Sequence, residues 1–156
     1  MMDPSTYRPR VGLWSQRDLR WSWKQLGQSK AKMGPKGCAV TCLAIIILRY
    51  FYDVEKNPKK FYRPGEVCDR AKYTSDGSVY LNIVDELTNG KLLHTYDPSV
   101  AKYTMIQLSW GGQNHWVVQL GRKEADLCLD PWDGKIKQLH QPYWTVTNGR
   151  RYFRLA

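Results

Sequence analysis

The chain has 156 residues, of which 42% are hydrophobic and 13% aromatic. It can therefore bury a core as one domain, and this composition excludes an intrinsically disordered protein. Its 24 Lys and Arg residues outnumber its 14 Asp and Glu residues, which gives a formal net charge of +10. Such a charge indicates an anionic partner, such as nucleic acid, an acidic polymer, a cell wall or a membrane surface, or it serves solubility alone.

The beginning of the chain predicts a basic, extended segment over residues 1–12, followed by a single domain over residues 13–156. The first ten residues, MMDPSTYRPR, contain no apolar region of the kind found in secretion signals. The apolar stretch after Cys38 is shorter than the ~20 residues that span a bilayer. We therefore expect a soluble protein without a membrane span, made without a classical signal peptide, that is cytoplasmic or released to the cell wall.

A buried helix is predicted over residues 37–51, and Cys38 lies at its start. A turn rich in Gly and Pro, residues 34–37, precedes the helix, and residues 39–48 carry no charge, as in a helix at the centre of a core. The unpaired N–H groups and the positive dipole of a helix N-terminus favour a thiolate over a thiol. Cys38 is therefore a candidate nucleophile. The alternative is a small core hydrophobe, since most lone cysteines are of that kind.

The elements after this helix indicate helices first and strands afterwards. Two short helices are predicted over residues 64–71 and 78–87, with Pro64 at the start of the first and Asn89-Gly90 after the second. Short runs of β-forming residues, bounded by turn residues, predict strands at 92–96, 103–110, 115–120, 126–130 and 152–155. This order predicts an α+β fold, in which the helix that carries Cys38 packs on an antiparallel sheet.

Two of these strands place a histidine beside a carboxylate, if they form a hairpin around a loop at 121–124. On one face His115 then stands opposite Asp130, and directly opposed Cβ atoms lie ~4.5–5.5 Å apart, within reach of an imidazole–carboxylate hydrogen bond. A slip of one residue would bring Asp130 among apolar side chains, so the hydrophobic pattern favours this register. The other face is then formed by three apolar pairs: Trp116–Leu129, Val118–Leu127 and Leu120–Ala125.

Cys38, His115 and Asp130 would supply a nucleophile, its general base and the group that orients the base. The imidazole takes the thiol proton, the thiolate attacks a carbonyl carbon, and the imidazolium protonates the leaving amine. The oxyanion that develops needs hydrogen-bond donors, for which the main-chain N–H of Cys38 and the side-chain amide of Gln16 are the candidates. The predicted chemistry is amide hydrolysis with neither a cofactor nor a metal.

Other residues have weaker claims to the site. Asp133 is the alternative orienting carboxylate, but it follows Pro131 and lies off the strand. Gln113 and Asn114 are expected to shape the turn before His115. His94 and His140 are expected to be ordinary half-exposed histidines. Six tryptophans are expected to divide between core packing and the lining of a cleft: Trp14, Trp21, Trp23, Trp110, Trp116 and Trp132.

The four cysteines contain no CxxC pair. Their even number leaves a disulfide framework open, although a domain of this length does not need one. A zinc site would have to be assembled from scattered Cys and His residues, and none is predicted. The full set is Cys38, Cys42, Cys68 and Cys128.

Four short motifs occur in the order Gln, Cys, His, Asp between about residues 14 and 135. They are Trp14-Ser15-Gln16-Arg17-Asp18, Gly37-Cys38-Ala39-Val40-Thr41-Cys42-Leu43-Ala44, Asn114-His115-Trp116-Val117-Val118 and Leu129-Asp130-Pro131-Trp132-Asp133-Gly134. Together they resemble the papain-like cysteine peptidases of the bacteriocin-leader (double-glycine) peptidase group, in its branch of stand-alone bacterial and phage domains. The resemblance implies a papain-like fold, with Cys38 as nucleophile, His115 as general base, Asp130 as orienting group and Gln16 as oxyanion-hole donor.

The chain departs from the family pattern in two regions. Cys42 stands where the family commonly has Ser or another small residue. Residues 52–90 match only in outline, so the resemblance assigns no substrate pocket there. The basic N-terminal segment is not a hallmark of the family.

Three functions of different classes remain open. The leading hypothesis is a cysteine peptidase that cleaves a polypeptide or the stem and cross-link peptides of peptidoglycan, as a phage-lysin-like cell-wall endopeptidase does. The second is a catalytically idle peptide-binding module on the same fold, against which the presence of Gln16, Cys38, His115 and Asp130 argues. The third is a basic nucleic-acid-binding protein, and the lack of a base-reading motif argues against it.

Overall fold

The structure is a computed structural model that describes residues 12–121 and 126–156. Within these residues it contains four α-helices and an antiparallel sheet of six strands, which confirms the predicted α+β class. The expected extended segment at 1–11 and residues 122–125 of the expected hairpin loop lie outside the described residues. The helices are α1 (Met33–Lys36), α2 (Cys38–Asp53), α3 (Pro64–Arg70) and α4 (Ile83–Leu87). The strands are β1 (Leu92–Thr95), β2 (Tyr103–Trp110), β3 (Gln113–Gln119), β4 (Leu127–Asp130), β5 (Lys135–Gln138) and β6 (Thr145–Leu155).

α2 is the central helix, and it begins at Cys38, close to the predicted start. Residues 40–51 of this helix are all buried. The uncharged run over 39–48 is apolar on every side, and Arg49 is buried just after it. The helix packs against β3 and α3. The turn before it is tight: a Cβ atom at Gly37 would lie 2.5 Å from the main-chain oxygen of Met33. Only glycine fits at this junction, and it fixes where α2 begins.

The sheet has the strand order β1-β6-β2-β3-β4-β5. β6 is longer than the predicted strand at 152–155, because its first half is polar and interrupted by Asn148-Gly149, which concealed the strand in the sequence. β5 was not predicted at all, since it is a short edge strand of sequence KIKQ. α4 is shorter than the predicted helix at 78–87, because Val79 pairs with Tyr73 in an isolated β-bridge instead.

The predicted register between β3 and β4 is wrong by two residues. The observed partners are Val118 with Leu129 and Gln119 with Cys128, so His115 does not stand directly opposite Asp130. Side chains in a strand alternate with a period of two, and a shift of two residues therefore leaves each of them on the predicted face. The hydrophobic pattern excludes a slip of one residue but cannot exclude a slip of two.

Apolar residues cover both faces of β2 and β3. Met105 and Val118 belong to the core beneath α2, whereas Ile106 and Val117 belong to a second cluster with Trp144 on the opposite face. This alternation explains the near-continuous apolar runs in both strands. Among the described residues, none of the helices is both long enough and apolar enough to cross a membrane.

Candidate active site

His115 joins Asp130 and interacts with Cys38, the first residue of α2. Nε2 of His115 lies 2.6 Å from Oδ1 of Asp130, and the Cys38 thiol is near enough to the ring to raise its pKa. Since Asp130 occupies Nε2, the nitrogen available to the thiol is Nδ1. His115 and Asp130 are diagonal neighbours on β3 and β4, and long side chains can meet across this distance. The expected imidazole–carboxylate hydrogen bond is thus present despite the corrected register.

The surroundings of His115 favour its protonated form. The ring is only 6% exposed, and this burial lowers its pKa. The interactions of the ring with Asp130 and Cys38 outweigh burial and raise the pKa of His115 to about 9. At neutral pH the imidazole therefore holds two protons, one directed at the carboxylate and one at the sulfur.

Asp130 is fully buried and accepts three hydrogen bonds. Its Oδ1 accepts from His115 and from the main-chain N–H of Trp132 at 2.9 Å, and its Oδ2 accepts from Nζ of Lys137 at 2.6 Å. Burial raises the pKa of this carboxyl, but the hydrogen bond and charge of His115 and the bond from Lys137 hold it below its usual value. Asp133, the alternative orienting group, contacts Lys137 instead, 3.0 Å away.

Lys137 is a site residue that sequence reasoning missed. It lies in β5, whose pairing with β4 places Lys137 beside Cys128 and therefore diagonal to Asp130 on the same face. A signal for this hairpin was present: Asp133-Gly134 is a typical turn dipeptide, and Gly134 has a φ of 72°. Recognition of that turn would have identified β5 and placed a lysine near the carboxylate.

Gln16 is buried at the edge of the same groove. Its Nε2 donates to the main-chain oxygen of Gly34 at 3.0 Å, so the amide orientation is set, because Oε1 in that place would meet another acceptor. One N–H of the amide remains free to donate within the described residues. Cys38 is the first residue of α2, so its main-chain N–H also lacks an intrahelical acceptor. The two expected oxyanion donors thus both line the groove.

The loop that carries Gln16 is fastened to the segment that follows Asp130. The main-chain N–H of Gln16 donates to the oxygen of Pro131 at 2.6 Å. The oxygen of Trp132 accepts from Oγ of Ser15 at 2.8 Å and from Nε of Arg17 at 2.9 Å. The position of Gln16 therefore depends on the same turn that orients Asp130.

The groove around Cys38 has a volume of about 780 Å³, which is within the usual range for ligand sites. Tryptophans form much of its wall, as the sequence predicts: Trp110, Trp116 and Trp132 line it. The Trp110 ring centroid lies 5.7 Å from that of His115 and 5.6 Å from that of Trp132. The other three tryptophans that were considered lie elsewhere. Trp21 is in the core, Trp14 is partly buried and packs against the core, and Trp23 is 63% exposed.

Gln113 and Asn114 do not form the turn before His115. They are the first residues of β3, and the turn is made by Gly111 and Gly112, both with positive φ. His94 is partly buried, and burial lowers its pKa. His140 is exposed.

All four cysteines have free thiols, and Cys38 is the least buried of them. Burial raises the pKa of the other three, to about 12 for Cys128. Within residues 12–121 and 126–156, no group of three or more His, Cys, Asp and Glu side chains is arranged to hold a metal ion. Cys38 is therefore the thiol that reagents in water should reach first.

The chain was compared with models of protein families, with curated proteins and with solved structures, and none of them matches it. The functional interpretation therefore depends on the geometry of the site. The arrangement provides a sulfur nucleophile, a protonated imidazole beside it, a buried carboxylate behind the imidazole and two free N–H donors.

Proposed function

We propose that this chain is a cysteine peptidase of papain-like architecture that hydrolyses amide bonds. The observation that carries the proposal is the hydrogen bond of His115 to the buried Asp130, in a ring that also interacts with Cys38 and lines the same groove. A histidine with a pKa of about 9 holds its proton at neutral pH, and an imidazolium beside a thiol stabilises the thiolate.

The reaction follows from the positions of these groups. The thiolate of Cys38 attacks the carbonyl carbon of the substrate, and the oxyanion accepts hydrogen bonds from Gln16 Nε2 and the main-chain N–H of Cys38. The proton on Nδ1 of His115 passes to the leaving amine, and the C–N bond breaks. The neutral imidazole then takes a proton from water, the hydroxide attacks the thioester carbonyl, and the C–S bond breaks to release the acid and restore the thiolate–imidazolium pair.

The proposed substrate is a peptide, either in a polypeptide or in the stem and cross-link peptides of peptidoglycan. A groove of about 780 Å³ with three tryptophans in its wall can hold an extended chain. The net charge of +10 favours an anionic target such as a bacterial cell wall. A phage-lysin-like cell-wall endopeptidase unites these two features.

The first test is the rate at which iodoacetamide alkylates Cys38, measured against pH in the wild type and in His115→Gln. We expect fast alkylation below pH 7 in the wild type and its loss in the variant. If both proteins follow the titration of a free thiol, near pH ~8.5, the proposal is wrong and an idle binding module becomes the better interpretation. Cys42, Cys68 and Cys128 are buried, so mass spectrometry of the labelled peptides can assign the signal to Cys38.

The second test is cleavage. Purified peptidoglycan and casein are incubated with the wild type, Cys38→Ala and Cys68→Ala, and new amino groups are counted. We expect new amines from at least one substrate with the wild type and with Cys68→Ala, which removes a thiol at a distance from the groove. Equal rates for the wild type and Cys38→Ala would contradict the proposal.

A further inference from the structure

Strand β6 bulges where it passes Gln107 of β2. The pairing changes from Ile106 with Arg150 to Leu108 with Val146, so that Gln107 faces residues 147–149. A Cβ atom at Gly149 would lie 2.6 Å from Oε1 of Gln107, so glycine is needed for this approach. Bulges redirect side chains near functional sites, and here the Gln107 side chain lines the groove that holds Cys38.

The bulge also places Thr147 beside the Gln107 amide. Oγ1 of Thr147 lies 2.9 Å from the main-chain oxygen of Gln107 and 3.3 Å from its Oε1. Nη1 of Arg150 donates to the main-chain oxygens of Thr147 and Gly149, at 2.7 and 2.8 Å, and holds the bulge in place. The single proton of Oγ1 goes to the nearer, main-chain oxygen, so the end of the amide beside Thr147 can be Oε1 or Nε2. As placed, Nε2 has no acceptor among the described residues and can donate to a ligand.

Arg151 lies beside Gln107 and also lines the groove. Its guanidinium carbon is 5.1 Å from the centroid of the Trp116 ring, and Trp116 is the cross-strand partner of Gln107. No carboxylate among residues 12–121 and 126–156 lies within ion-pair distance of Arg151. The guanidinium is thus held by this stacking contact and by one hydrogen bond, from Nη1 to the main-chain oxygen of Arg150 at 2.9 Å. Its other N–H donors have no partner among the described residues.

The charged residues of the groove wall leave an excess of positive charge. Besides the protonated His115 they are Lys36, Asp76 and Arg151. The Asp76 carboxylate accepts from Oγ1 of Thr74 and from the main-chain N–H of Ser78, and it does not pair with Arg151. Lys36 likewise has no carboxylate partner in the described part of the chain. The groove therefore presents free donors and free positive charge to whatever enters it.

We propose that Arg151 and Gln107 form a carboxylate-binding subsite, so that the peptide cleaved by this site carries an acidic residue within the groove. The proposal rests on the proposed peptidase function and adds its substrate class. A carboxylate fits these donors, because a guanidinium binds it with two parallel N–H bonds and the Nε2 of a glutamine adds a third. Trp116 supplies an apolar floor for the methylene groups of such a residue.

The test is a mixture of short synthetic peptides in which L-Glu, D-Glu and Gln occur at every position, digested and analysed by mass spectrometry. We expect Glu to be favoured over Gln by about tenfold at one position near the cleaved bond, the value of a charge-assisted hydrogen bond. In Arg151→Met this ratio should fall to about one, and in Arg151→Glu it should reverse, with Gln favoured over Glu there. Arg154→Met, also exposed on β6 but outside the groove, is the matched control and should keep the ratio.

Iodoacetamide alkylation of Cys38 separates failure of the subsite from failure of the peptidase. If alkylation is fast below pH 7 and peptides are cut without a preference for Glu, the subsite is wrong and the peptidase stands. If the ratio persists in Arg151→Met, another residue supplies the preference and this assignment is wrong. If the peptides stay intact and Cys38 reacts like a free thiol, both proposals are wrong.

Discussion

Lys137 and His115 bind opposite oxygens of one buried carboxylate. Nζ of Lys137 lies 2.6 Å from Oδ2 of Asp130, and Nε2 of His115 lies 2.6 Å from Oδ1. The lysine keeps Asp130 ionised and occupies the oxygen that the imidazole does not use. The carboxylate is thereby fixed in the rotation that aims Oδ1 at His115, so Lys137 acts on the site as a positioning residue.

In Lys137→Met, Cys38 should lose its reactivity at a higher pH than in the wild type. Without the ammonium the pKa of Asp130 rises, so the carboxylate is protonated at a higher pH and ceases to support the imidazolium. The rate at which iodoacetamide alkylates Cys38 falls as the pH is lowered, and we expect this fall to occur about one pH unit higher in the variant. Lys135→Met is the control, because Lys135 is exposed on the same strand. If alkylation of Cys38 falls off at the same pH in Lys137→Met and Lys135→Met, Lys137 has no role in positioning Asp130.

His115 should make the folded protein less stable as the pH rises from about 6.5 to 9. Its pKa is about 9 in the folded state against a model value of 6.5, so over this range the folded state binds more protons than the unfolded state. This stabilisation is complete below pH 6.5 and is lost as the pH rises through 9, and it amounts to at most about 3 kcal/mol. Urea unfolding at a series of pH values measures it.

His115→Gln should flatten that dependence, whereas His94→Gln should not. Burial lowers the pKa of His94, so its titration lies below pH 6.5 and acts on stability in the opposite direction. Asp130 adds a separate acid effect: its lowered pKa gives stability that is present above pH ~3.9 and is lost as the pH falls through the folded-state value. If the free energy of unfolding falls with pH equally steeply above pH 6.5 in the wild type and in His115→Gln, the assigned pKa is contradicted.

The sequence is sufficient to predict the helix that begins at Cys38 and the meeting of His115 with Asp130, because both depend on local patterns. A long uncharged helix must lie in the core of the fold. The alternation of apolar and polar residues along a strand assigns each side chain to a face of the sheet, even when the pairing register is not known. Lys137 and Arg151 could not be placed in the same way. Both lie in polar segments of β5 and β6 with no hydrophobic alternation, and tertiary pairing alone makes them strands.

Gln16→Met should slow acylation of Cys38 but not its alkylation. The substitution keeps most of the side-chain volume and removes the amide that donates 3.0 Å to Gly34. Attack on an ester forms an oxyanion, whereas alkylation by iodoacetamide forms none. We expect the burst of p-nitrophenolate from p-nitrophenyl acetate to slow by about 10²–10³, with alkylation changed by less than about threefold. Equal losses in both reactions would mean that Gln16 only supports the loop.

Gly37→Ala should displace the start of α2 and with it the sulfur of Cys38. The new Cβ atom would lie 2.5 Å from the main-chain oxygen of Met33 and 2.6 Å from its Sδ. The sulfur can move aside, but the main-chain oxygen belongs to α1, so the two helices must separate. We expect a loss of about 1–3 kcal/mol in the free energy of unfolding and slower alkylation of Cys38 at pH 6.5. Gly121→Ala is the matched control, since a Cβ there meets no atom of the described residues within 4 Å, and it should change the free energy by less than about 0.5 kcal/mol. If Gly37→Ala lowers stability but leaves alkylation unchanged, the reactivity of Cys38 does not depend on the junction between α1 and α2, and the helix start only serves the fold.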